Sequence, residues 1–377
     1  MFERVQRFAR RHRRKLIAGG VVVAGAYCAY RVALPRIQRW ALNKLLEGSN
    51  GLLQEIANAA EGGEKKTGPE RSEAARLHEQ AVADAYARRA LKSIRPRLVE
   101  LFGIDEAKAR LTEKSLSKEE KVARFAAFQV ECIARSVSTL YASTFLLLLY
   151  RVEFNVMGRG MAASDGDAAH EGLLEATRAV EDQVLGALAA ACREAVATQS
   201  SETGLAPSSS VDAAALERFL LAACDSVDAA LLGATSGAAA LLLPEAADPL
   251  PALDASAKVK AFLDDARDIL DSPKFAKAAK AAAAGATRCV VGQLSGLVGS
   301  AGAAVPAPLA EGKSCPLATT FGPLMQASAA LLGGEHGEEG TELAERFSTE
   351  PAVIELCEAL DAKADSSDAS QAPCPQQ

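Results

Sequence analysis

The chain has 377 residues, of which 49% are hydrophobic and only 5% aromatic, and its formal net charge is −6. Residues 1–40 carry ten Lys/Arg and one acid, which leaves −15 on the rest and excludes a nucleic-acid partner for that acidic body. Alanine is abundant and costs no side-chain entropy to fix in a helix, so closely packed helices are expected.

The sequence begins with a basic cluster, Arg4, Arg7, Arg10, Arg11, His12, Arg13, Arg14 and Lys15. An uncharged apolar run from Leu16 to Tyr30 follows, and Arg31 closes it. As a helix the run is about 22 Å long, against a bilayer core of roughly 30 Å. If Arg31 snorkels and the span extends to Leu34, the length reaches about 28 Å. Pro35 limits further continuation. The favoured reading is an uncleaved single-pass anchor and targeting segment over residues 1–35. A cleaved secretory signal, a mitochondrial presequence and a helix lying in the membrane surface each share part of the pattern. The cluster suits anionic lipid headgroups. The positive-inside rule would hold it in the cytosol and send the body across. The cysteines argue the other way. All eight are scattered with no C-x-x-C pair, and the chain has no N-x-S/T sequon, which favours a reducing, cytosol-facing body.

Residues 36–66 contain Trp40 and an amphipathic stretch, and end in Gly62-Gly63-Glu64-Lys65-Lys66, a flexible linker. A folded body is expected over residues 67–364. It opens with a helical pattern from Glu70 to about Phe102, interrupted near Pro96. Ser117-Lys118-Glu119-Glu120 is a capping box and starts a long helix running to about Tyr150. Ser136 to Tyr150 holds no charge, yet it is short and Ser/Thr-rich for a membrane span, so it reads as a core helix buried on every side. Further helices are expected over Glu171–Thr198, Val211–Leu243, Ala255–Leu270, Pro273–Val298, Leu317–Leu332 and Pro351–Ala362. Ser272 is the N-cap and Pro273 the first helical residue of its segment. Residues 365–377 are rich in Ser, Asp, Pro and Gln and are expected to be disordered. No period-two strand pattern occurs, so the fold class is all-α: a membrane anchor followed by a single large elongated helical bundle.

Motifs for chemistry are missing. There is no P-loop, and Gly292, Gly296, Gly299 and Gly302 follow no strand. His78-Glu79 and His170-Glu171 lack a second histidine four residues on, and Ser236 is misplaced for a nucleophile elbow. A binding protein is therefore expected rather than an enzyme, with no metal and no cofactor. The candidate surface is a stripe on the long helix: Lys121, Phe125, Phe128 and Cys132 at i, i+4, i+7 and i+11. Val122, Val130 and Ile133 are assigned to the core. An apolar stripe edged by lysine suits an acidic amphipathic helix docking in a groove. The alternative is that both phenylalanines pack against a neighbouring helix of the same chain, and periodicity alone favours that alternative.

Several separated segments are similar to the peroxin-3 family. They are Phe8 with Arg11 to Lys15 and the apolar run, then Arg135-Ser136, Tyr141, Arg151-Val152, Asn155 and Gly158 on the long helix. Ala266 to Phe275, Pro316-Leu317-Ala318 and Phe347-Ser348-Thr349 complete the set. The resemblance covers nearly the whole chain, with weak stretches at 36–90, 159–210 and 299–313. It implies a helical cytosolic domain anchored in the peroxisomal membrane. Such a domain docks an amphipathic helix of the chaperone peroxin-19, which delivers peroxisomal membrane proteins. It further implies that Phe125 stands where the family has a groove tryptophan, Phe128 at a neighbouring leucine position and Lys121 at a matching lysine. Two departures stand out. Phe replaces Trp, and a lysine that flanks the family's groove is here Thr319. A rival class is a helical enzyme or lipid-handling protein anchored in another organelle such as the mitochondrion.

Overall fold

The structure is a computed structural model that describes residues 73–113, 116–160, 166–233, 237–243, 257–296, 307–310, 313–330, 347 and 349–369. The anchor and targeting segment with Arg11, His12, Arg13, Arg14, Lys15, Leu16 and Tyr30, and the linker to residue 66, lie outside the described residues.

The chain forms α1 (Glu73–Phe102), α2 (Ile104–Leu111), α3 (Lys118–Gly160) and α4 (Gly166–Thr203). Then come β1 (Ser210–Val211), α5 (Ala213–Leu231), α6 (Gly237–Leu242), α7 (Ala257–Leu270) and α8 (Pro273–Leu294). The last part holds β2 (Cys315–Pro316), a 3₁₀ turn (Leu317–Thr320), α9 (Phe321–Ala330) and α10 (Pro351–Ala369). Apart from the two short strands, every regular element among the described residues is helical, as expected for an all-α chain.

The 43-residue α3 is the hub, packing against α1, α2, α4, α7, α8, α9 and α10. Its start is the expected capping box: the Ser117 amide donates to Glu120 Oε2 at 2.8 Å, and the Glu120 amide donates to Ser117 Oγ at 3.1 Å. Every residue from Ser136 to Tyr150 is buried. Among the described residues one helix, Lys118–Val156, is long and apolar enough to cross a membrane, and its apolar stretch is almost wholly enclosed by protein.

Burying so many hydroxyls needs partners. Ser136, Thr139 and Ser143 donate to the carbonyls of Cys132, Arg135 and Thr139, four residues back in their own helix. Tyr141 reaches across to α5, where its hydroxyl lies 2.7 Å from Asp228 Oδ1 and 2.9 Å from the Cys224 carbonyl. Further along, Arg151 grips Asp84 of α1 through two bonds of 3.0 and 3.1 Å, with both side chains nearly out of water. On α8, Ala278, Ala279, Ala282, Ala283 and Ala286 are all buried, the small-residue packing that the composition implied.

Four expectations are corrected. α1 runs unbroken through Pro96. That ring is exposed, so the helix loses one amide donor on its solvent side while Ile94 and Leu98 keep the buried face intact. The single helix expected over Val211–Leu243 is two. Asp212 caps α5 by accepting from the Ala215 amide, and the chain breaks after Leu231. α6 then restarts at Gly237, whose φ of 59° suits glycine and where a Cβ would meet Asp271. Asp271 Oδ1 instead accepts from the Ala239 amide at 2.9 Å. α10 continues to Ala369, so residues 365–369 of the expected disordered tail are helical. Finally, β1 and β2 pair antiparallel, Ser210 with Pro316 and Val211 with Cys315. Two residues are too few to leave a period in sequence, and the pairing is made by backbone alone. It holds the 3₁₀ turn in place, helped by the Leu317 and Ala318 amides donating to Ser209 and Pro207 carbonyls.

Candidate docking site

The first turns of α3 are exposed on most sides. Val122 and Phe125 are exposed to 65% and 36%, large apolar side chains left in water at the start of an otherwise buried helix. α2 flanks this segment on one side: Arg124 donates to the Arg110 carbonyl at 2.9 Å and pairs with Glu113 at 2.8 Å. α9, which continues directly from the 3₁₀ turn, flanks it elsewhere. Phe128 sits half-buried with its ring 6.2 Å from that of Phe125 and 6.2 Å, edge-on, from buried Phe321. Three phenylalanines therefore form a relay from solvent into the core, a geometry that aromatic quadrupoles favour.

The expected site residues fall in three groups. Phe125 and Phe128 are together and reachable, and Lys121 is exposed one turn before Phe125. Thr319 is exposed on the 3₁₀ turn, two residues before Phe321, with its hydroxyl donating to the Pro316 carbonyl at 2.7 Å. Cys132 is a correction: it is 0% exposed and cannot touch a partner, because it lies under the packed helices. Burial pushes its thiol up to about 12, against a smaller opposing pull from Arg135. Val122, assigned to the core, is a second correction. It stands on a turn that projects beyond its neighbours, whereas Ile133, about three turns deeper, is fully buried.

Two residues that sequence reasoning left out of the site belong to its frame. Phe321 supplies the wall behind Phe128, and nothing local in its sequence marks it. Arg135 does carry a signal, since it continues the stripe of Lys121, Phe125, Phe128 and Cys132 at i+14. It is half-buried, and its Nη1 lies 4.0 Å from the Met325 sulfur on α9.

What the arrangement offers is an uncovered apolar face with a cation on each side of the phenylalanine pair. No protein-family model matches the chain, and no curated protein matches it.

Proposed function

We propose that this protein is a membrane-anchored docking receptor of the peroxin-3 type. In this reading it sits in the peroxisomal membrane with its helical body in the cytosol. It binds cargo-loaded peroxin-19 through an amphipathic helix and so serves insertion of peroxisomal membrane proteins. The observation that carries the reading is the exposure of Phe125 beside half-buried Phe128 on α3, at the positions singled out by helical spacing and by the resemblance. An amphipathic helix laid on that face would cover apolar surface that the chain itself leaves wet. Both rings are already partly buried, so covering what remains in water supplies roughly 1–3 kcal/mol before ordering costs. The basic cluster then acts as a targeting element and the apolar run as the anchor.

Isothermal titration with the N-terminal peptide of peroxin-19 tests the site. Phe125→Ala is expected to weaken binding at least about tenfold, near 1.4 kcal/mol. Unchanged affinity, with the fold intact by circular dichroism, removes the assignment. Imaging a C-terminal fluorescent tag, combined with intact mass, checks the membrane: a mitochondrial image or cleavage near residue 35 contradicts the reading.

A further inference from the structure

α3 and its flanking helices converge at Arg135. α2 runs antiparallel to α3, since Arg124 meets the end of α2 at Arg110 while Asp105, near its start, acts on Arg135. α9 runs the same way as α3, since Phe128 meets Phe321 and Arg135 meets Met325. Beyond buried Cys132, half-buried Arg135 is therefore the last side chain of the stripe that still reaches the surface, about 15 Å along the helix axis from Phe125.

A half-buried guanidinium at such a place normally has a carboxylate. This one forms no ion pair among the described residues. The nearby acids are otherwise engaged or stand off. Glu131 is held by Arg193 through two 3.0 Å contacts. Glu113 is held by Arg124. Asp105 is exposed and acts on Arg135 only through its field, against which Arg95 of α1 works. The guanidinium has five N–H donors in a fixed fork, and its contact to a thioether sulfur is a weak one. Burial lowers its proton affinity somewhat but leaves it charged.

Resting on the docking reading above, we propose that Arg135 is the carboxylate receptor of this site. Its guanidinium takes an Asp or Glu of the docked helix at the inner end and so fixes that helix's direction and register. Lys121, exposed and without an ion pair among the described residues, stands 14 residues away at the outer end. Two cations bracketing two phenylalanines call for a helix with an apolar face and acids near both its ends. The fork at Arg135 is the directional half of that pattern, because a carboxylate docks on it bidentately, whereas a lysine takes any approach.

The experiment is titration of the same peroxin-19 peptide, and of its single carboxylate-to-amide variants, against four proteins. These are the natural chain, Phe125→Ala, Arg135→Gln and Asp105→Asn. Arg135→Gln is expected to weaken binding about fivefold or more, and one peptide carboxylate should lose its effect in that variant alone. Asp105→Asn lies at an exposed position off α3 and removes a competing negative field, so it should tighten binding about twofold. If Phe125→Ala weakens binding while Arg135→Gln and Asp105→Asn bind like the natural chain, docking stands and the role of Arg135 is overturned. If the natural chain does not bind the peptide, both fall. Should Arg135→Gln melt, Asp105→Asn decides, and an unchanged affinity there overturns the proposal.

Discussion

The inner and outer parts of α3 both carry large apolar side chains and meet opposite fates, the inner one uncharged and the outer one interleaved with Lys118, Glu119, Glu120, Lys121 and Arg124. Its inner part, Ser136 to Tyr150, is sealed by neighbouring helices. The outer half, from Lys118 to Phe128, keeps Val122 and Phe125 in water. Valine and phenylalanine occur in both, Val137 and Phe145 inside and Val122 and Phe125 outside, so residue type alone does not decide the fate of a single position. The difference is where the neighbours stop: α2 and α9 close on the helix around Arg135, whose side chain stays half-buried, and leave its first turns uncovered on the side of Phe125. An apolar stripe becomes core or exposed face according to its cover, and cover is a tertiary fact.

Substitutions can break that contrast. The largest effect is expected in the sealed half. Asp84→Ala leaves the Arg151 guanidinium buried without its bidentate partner, at 3–5 kcal/mol or so by analogy with other buried pairs. Urea unfolding measures it, and a cost under about 1 kcal/mol would mean that the inner half is wetter than described.

A second test uses pH. Asp228 is held up to about 6 from an ordinary 3.8, chiefly by burial, with the Tyr141 hydrogen bond and Lys280 working in the other direction. The geometry agrees, because Tyr141 has one proton for two acceptors, and a protonated Asp228 can donate the second. A folded pKa above the unfolded one means that the native state binds the proton more tightly. This stabilising contribution is complete below about 3.8 and is lost as pH rises through about 6. Across that window the stability difference between the natural chain and Asp228→Asn should change by about 3 kcal/mol. A difference that is flat with pH would show that another group titrates there.

The smallest effect belongs to the exposed half. Val122→Ser should change unfolding stability by no more than about 0.5 kcal/mol, because the side chain is mostly in water already. A loss near 2 kcal/mol would place Val122 in the core after all and end the contrast.

Much of the body was readable before any coordinates. The capping box at Ser117 and Glu120, the uncharged stretch of α3 and the Ser272-Pro273 restart are local signals, and each performs its expected role. Pro96 misled because a proline on a helix's wet side removes a bond that water can replace. The split after Leu231 was missed because Gly233 sits in an alanine- and leucine-rich context that keeps helical periodicity going across it. Of the site, the phenylalanine stripe was legible as a period, but the burial of Cys132 and the exposure of Val122 were not. Both depend on where the helices of the rest of the chain pack on α3. Phe321 reaches Phe128 only through a backbone pairing too brief to leave a pattern.

The back-bonded hydroxyls of α3 carry a last consequence. Because Ser136, Thr139 and Ser143 are satisfied by their own helix, they ask nothing of the side chains around them. Surrounding helices can trade one aliphatic residue for another against these three positions without stranding their hydroxyls. The demands that the hub does make on its neighbours fall on side chains such as Tyr141 and Arg151, so a change at Asp228 or Asp84 must be matched in α3 whereas a change in the aliphatic packing around these three hydroxyls need not.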